Sequence, residues 1–118
     1  MEEKTIDIII RKFYAVEVLA HVSHVNTRVG YHHEALGAYY DAVANIKDRV
    51  IEHLMGTGRL IKVNASILEI GNDITLEAST LCSVFCNYAE VSGDAALENM
   101  AAELEEATGV IKLKLMFS

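Results

Sequence analysis

An all-α four-helix bundle is the fold class this sequence predicts, and three observations carry it. The 118 residues include no proline, so long helices run without the break that a missing N–H and a locked φ impose. Apolar residues recur at steps of three and four over two long stretches. Turn formers gather in "NTRVG", "GTG" and "SGD" and divide the chain into helix-sized pieces.

The spacing predicts a first helix over residues 3–26, with Ile6, Ile9, Phe13, Val16 and Ala20 as its buried stripe. Lys4, Arg11 and Lys12 fall mainly off that stripe. A second helix follows over 31–55, with Leu36, Tyr39, Val43, Ile46, Val50 and Leu54 as a seam. Gly56–Gly58 ends it, because glycine accepts the left-handed conformation at a C-cap. The stretch "RLIKVNASILEIGND" reads equally as strand, connection or short helix. Asn72 or Asp73 caps a third helix, "ITLEASTLCSVFCNYAEV", whose apolar contacts come from Leu76, Leu81, Val84 and Tyr88. Asp94 caps a fourth from Ala95, with Leu97, Met100, Leu104, Ala107 and Ile111 inward and Glu98, Glu103, Glu105 and Glu106 solvated. The tail "GVIKLKLMFS" alternates like a strand, but Lys112 and Lys114 suit the negative end of a helix, and helix is preferred. The alternative is an α+β fold with a two-stranded element from 59–70 and 109–117.

A chain of this length makes one domain, residues 1–118. Its formal charge of −7, from 10 basic and 17 acidic residues, argues against a protein that coats nucleic acid by neutralising phosphates. No uncharged apolar run is long enough to span a membrane. The opening "MEEKTIDIIIRKF" is neither a signal nor a transit peptide, and a cytoplasmic location is expected. Cys82 and Cys86 sit four apart, one helical turn, and read as a reduced core pair that would staple little if oxidised. "GTGR" lacks the elements of a phosphate loop, and no nucleophile–histidine–acid grouping stands out.

Chemistry concentrates in residues 20–56. All five histidines lie there. Glu17, His21 and His24 share one face of the first helix, and His33, Asp41, Asp48 and Glu52 share a wedge of the second. Imidazole with carboxylate suits a divalent first-row metal such as iron, zinc or manganese. His33 and Asp48, however, are about 22 Å apart along a helix at ~1.5 Å per residue. They meet only across a two-fold axis, with the second helix antiparallel to its copy and crossing near residue 41. His33 of one chain then faces Asp48 and Glu52 of the other, and His21 joins from the His33 side.

The pattern His21, His33, Asp48, Glu52, with Glu34 after the second histidine and a turn at "NTRVG", resembles the ferroxidase region of Dps-type miniferritins in the ferritin-like superfamily. The resemblance implies a ferritin-like bundle that self-associates, binds iron between subunits and oxidises Fe(II), protecting against peroxide. His21, His33, Asp48 and Glu52 would be the metal ligands. Gly37 stands where that family has an aspartate, and Val22 where it has a tryptophan, so weakened iron binding or a single-metal site is expected. The stretch "TRVGYHHEALGAYYDAV" also looks like small Dps-like helical proteins of tailed bacteriophages, which would place the chain in a host cytoplasm. Against the metal reading stands a plainer one. His21 and His33 would be hydrogen-bonded interface groups, Asp48 and Glu52 surface charges, His24 and His32 surface or supporting groups, and His53 a cation suited to a helix end. Tyr39 and Tyr40 would be packing. The protein would then be a non-enzymatic helical oligomer with a vestigial site, binding a host or phage protein through its acidic surface.

Overall fold

The computed structural model describes residues 2–117 and is all-helical. Four helices run in the order α1 (Glu2–Asn26), α2 (Gly30–Gly56), α3 (Ile74–Ser92) and α4 (Ala95–Leu115). A single 3-10 turn, Ala65–Ile67, interrupts the connection between α2 and α3. The molecule measures 44 × 30 × 19 Å. Its long axis is set by α2, whose 27 residues reach about 40 Å at ~1.5 Å per residue. The short axis holds two layers of helices.

Contacts between helices fix the arrangement. α1 packs on α2 and α3, and α4 packs on the same two, so the helices form a ring in the order α1, α2, α4, α3. Arg59, just past α2, and Tyr88, late in α3, both reach the Glu2 carboxylate at the start of α1. His53 near the end of α2 meets Asp94 at the start of α4. His32 at the start of α2 meets the Phe117 carbonyl past the end of α4. Directions are therefore up, down, down, up. The connection 57–73 climbs the length of the bundle, and clefts against α1 mark its path, first at Gly58–Lys62 and then at Ile67–Gly71.

The predicted stripes of α1 and α2 are all buried. Phe13 and Phe85 meet edge-to-face at the centre, ring centroids 5.2 Å apart and planes at 74°, an arrangement the ring quadrupoles favour. On α3 the expected contacts of Leu81, Val84 and Tyr88 are made, and that of Leu76 is not. The buried residues of this helix are Ala78, Leu81, Phe85 and Ala89, while Leu76 is 59% exposed. The reason is local. Asp73 caps the helix by accepting the Leu76 N–H, which sets Leu76 in the first turn, outside the ring of contacts.

The strand alternative fails. Among the described residues 59–70 form no strand, and α4 runs through Leu115. Ile111 continues the buried face of Leu97, Met100, Leu104 and Thr108, so the helical period overrides the alternation of the tail. Gly58, with φ +92°, turns the chain out of α2 as a C-terminal glycine does.

Asp94 carries two duties at the start of α4. Its carboxylate accepts the Ala96 and Leu97 N–H groups and meets His53 Nε2 at 2.7 Å. The His53 bond chiefly, with the two backbone N–H groups, holds the Asp94 carboxyl below its usual range against partial burial. Asp94→Ala is expected to lower stability, because the Ala96 and Leu97 N–H groups and His53 all lose their partner. Asp94→Asn keeps the cap and removes the charge. Because folding depresses the pKa, the charge stabilises fully above the unfolded carboxylate value and ceases to do so as pH falls through the folded value. Urea midpoints measured across the acid range are expected to show a shallower loss of stability in Asp94→Asn.

Candidate functional site

The outer face of the α1–α2 hairpin holds every residue of the predicted metal set. His21, His33, Asp48 and Glu52 are all exposed. The structure brings His21 and His33 to the turn end of the hairpin and leaves Asp48 and Glu52 far down α2. Among the described residues no three His, Cys, Asp or Glu side chains converge on a point where an ion could sit. A metal site built from all four residues would need a second chain.

The turn end is organised by a residue that the spacing left in a supporting role. His24 stacks on His33 with ring centroids 3.8 Å apart and planes at 23°. Nδ1–H of His24 donates to the His33 carbonyl at 2.6 Å, and Nδ1–H of His33 donates to the His24 carbonyl at 2.7 Å. A carbonyl can only accept, so each ring carries a proton on Nδ1, and its neutral form has the lone pair on Nε2. The exchange has a structural reason. α2 begins at Val29 without a side-chain cap, and the His24 carbonyl belongs to the last turn of α1, where carbonyls lack helical partners. The two imidazoles clasp the hairpin, and His33 supplies the donor that the His24 carbonyl lacks, while the first N–H groups of α2 stay without a side-chain cap. Their near-parallel planes also keep the two Nε2 lone pairs from meeting at one ion.

Gly37 makes this clasp fit. A Cβ at Gly37 would lie 2.9 Å from His24 Cε1 and 3.1 Å from Nδ1, closer than side chains pack. The imidazole thus fills the space beside the position where the resembling family carries its aspartate. His21 lies alongside, its ring 6.2 Å from His24 and 4.7 Å from Tyr40.

Below the histidines the face is ionic. Lys47 is 7% exposed. Its ammonium donates to Glu17 at 2.6 Å, lies 3.5 Å from Asp48 and sits 4.3 Å over the Tyr14 ring. Burial works against its charge, but Glu17, and then Asp48 and Tyr14, outweigh burial and raise its pKa. Asp48 keeps 66% of its side chain in solvent, so Lys47 biases it without consuming it. Glu17 is engaged, and the shared face it formed with His21 and His24 does not make a ligand group.

Other candidates resolve simply. His32 donates to the Phe117 carbonyl and ties α2 to the end of α4. Tyr39 is buried, with its hydroxyl outside hydrogen-bond geometry, although Thr108 lies near enough to oppose the upward push of burial on its pKa. Tyr40 is partly buried against the core. Cys82 and Cys86 are free, with sulfurs 3.9 Å apart. Burial first, then Cys82 beside it, pushes the Cys86 thiol up to about 12. Sequence reasoning missed the clasp and the Lys47 cluster. The one available signal was that His24 and His33 sit nearly symmetrically about a three-residue turn, which places them opposite each other.

Comparison with family models, with curated proteins and with solved structures gives no match. No helix among the described residues is long and apolar enough to cross a membrane.

Proposed function

We propose that this protein binds a divalent metal ion at a two-fold interface between copies of itself. His21 and His33 of one chain would supply nitrogen, and Asp48 and Glu52 of the other would supply oxygen. The observation that carries the reading is the state of His33. It is exposed, and its Nδ1–H is spent on a backbone carbonyl, which leaves the Nε2 lone pair as the donor. Metal-ligating histidines are commonly fixed this way. Two further facts support it. All four side chains are exposed, with His33 near the start of α2, His21 near the end of α1, and Asp48 and Glu52 near the far end of α2, as an antiparallel pairing needs. The single long crossover is the connectivity that ferritin-like bundles use.

Iron fits this set, and zinc or manganese fits it as well. With iron as substrate the reaction would be oxidation by oxygen or by peroxide; by oxygen, four Fe(II) ions and four protons take one O2 to two waters. By peroxide, two Fe(II) ions each give one electron, and with two protons one peroxide becomes two waters. Such chemistry would protect the compartment that holds the protein, which we place in a cytoplasm, that of a bacterial host if the chain is phage-encoded.

A second reading has its own observation. His24 occupies the space beside Gly37, where the resembling family has a carboxylate. A site so altered would be vestigial. The protein would then be a non-enzymatic oligomer whose acidic surface binds a host or phage protein.

Aerobic Fe(II) titration decides between the two, with ferric absorbance followed against a buffer blank and His33→Ala run in parallel. The metal reading expects oxidation faster than the blank, saturation at a fixed iron-to-dimer ratio, and loss in the variant. Equal rates in protein, variant and blank would remove the ferroxidase reading and favour the second.

A further inference from the structure

A separate donor pair lies on α3, on an element remote from the hairpin turn. We propose that Cys82 and Cys86 form a dithiol site for one thiophilic d10 cation, of the class of Cd2+, Zn2+ or Cu+.

The two sulfurs stand 3.9 Å apart, one turn from each other on the same helix. A metal about 2.3 Å from each thiolate would subtend an S–metal–S angle of about 116° at that separation. That angle lies between tetrahedral and trigonal, so neither side chain has to leave its place. A disulfide, by contrast, needs the sulfurs to close to about 2.05 Å, which consecutive turns of a straight helix resist. The spacing therefore suits an ion better than an S–S bond.

One further feature fits. Both cysteines are partly exposed, so an ion has a path to them. The Cys86 thiol donates to the Ala101 carbonyl of α4 at 3.6 Å, and the ion would replace that bond. Burial, Cys82 and Glu105 all raise the Cys86 pKa, so binding is expected to strengthen as pH rises. Thiolate donors select soft ions over the hard ions that carboxylates prefer. On binding, each divalent ion forms two metal–sulfur bonds, and the two thiol protons go to solvent. The remaining coordination positions would be filled by water. This proposal stands independently of the histidine site.

The test is titration of the reduced protein with Cd2+, with a thiol-free reductant present, following the sulfur-to-cadmium charge-transfer band in the ultraviolet. The band is expected to saturate at one Cd2+ per chain. Cys82→Ser and Cys86→Ser should each weaken binding about 100-fold, because either change breaks the chelate. His33→Ala should leave the band and the affinity unchanged. Helix content by circular dichroism is compared across the set, and alanine replaces serine where a variant loses helix. Three outcomes would overturn the proposal: no band, half the band with unchanged affinity in each cysteine variant, or loss of the band in His33→Ala.

Discussion

Lys47→Met is expected to destabilise the fold by about 3 kcal/mol, the scale seen when one partner of a buried ion pair is removed. Methionine matches the length of the lysine stem and keeps the packing against Tyr14, so the change isolates the charge. What remains is Glu17, whose side chain is only 19% exposed and loses its partner at 2.6 Å. A carboxylate half out of water with no donor bears the full desolvation penalty. Changing Glu17 to methionine in the same chain removes that stranded charge. The double variant is expected to recover most of the loss, because a buried pair replaced by apolar groups is often close to neutral. Urea unfolding of the parent, both single variants and the double gives the coupling directly. A coupling near zero would mean that solvent already screens the pair, and would contradict the burial of Lys47.

Gly37→Asp is the second large effect. Its Cβ would press on the His24 ring from 2.9 Å. The ring is held by a stack and by a bond to the His33 carbonyl, so it cannot swing aside freely. Overpacking of this kind costs about 2 kcal/mol, which the better helix propensity of aspartate over glycine offsets only in part, by about 0.4 kcal/mol. Removing the obstacle reverses the sign. In a His24→Ala background, Gly37→Ala is expected to stabilise by about 1 kcal/mol, as alanine for glycine does inside a helix. The same aspartate would place a carboxylate four residues after His33, within reach of the proposed site. If the metal reading holds, Gly37→Asp therefore loses thermal stability and gains affinity for Fe(II) or Zn2+ in the same sample. Isothermal titration beside a melting curve reads both. A variant that loses stability without any gain in metal would speak for the vestigial site.

The residues that made the fold legible are those whose burial follows a helical period. Ile6 to Ala20 on α1 and Leu36 to Leu54 on α2 point inward as a regular stripe, and regular stripes are visible in the sequence. α3 was readable as a helix, with Leu81, Val84 and Tyr88 packing as expected, but its fully buried set was not. Its buried set mixes Ala78 and Ala89 with Phe85, and small residues at close helix contacts carry little hydropathic signal. The crossover was ambiguous because its β-branched residues serve neither a strand nor a helix; Ile67 and Ile70 stay half exposed. At the site, the positions of His21, His33, Asp48 and Glu52 along two helices were legible, as was their separation. The His24–His33 clasp was not. It depends on where two imidazole protons sit and on two backbone carbonyls, and no spacing of residue types encodes either. Lys47 was hidden for a similar reason. A lysine beside Ile46 looks solvated until Glu17 and Tyr14 are brought across from the neighbouring helix.

The long crossover between α2 and α3 divides the molecule in a further sense. Each half of the chain is a closed antiparallel hairpin, α1 with α2 and α3 with α4, and each lays one apolar side against the other. The Phe13–Phe85 contact joins the two halves at the centre, while the covalent link between them runs outside on α1. That link adds loop-closure entropy that grows only slowly with its length, so it governs how often the halves meet more than how they fit. In the language of protein dissection, residues 2–56 and 74–117 are expected to behave as complementary fragments. The information for their mutual recognition resides in the packed faces, and the tether serves as a means of raising local concentration.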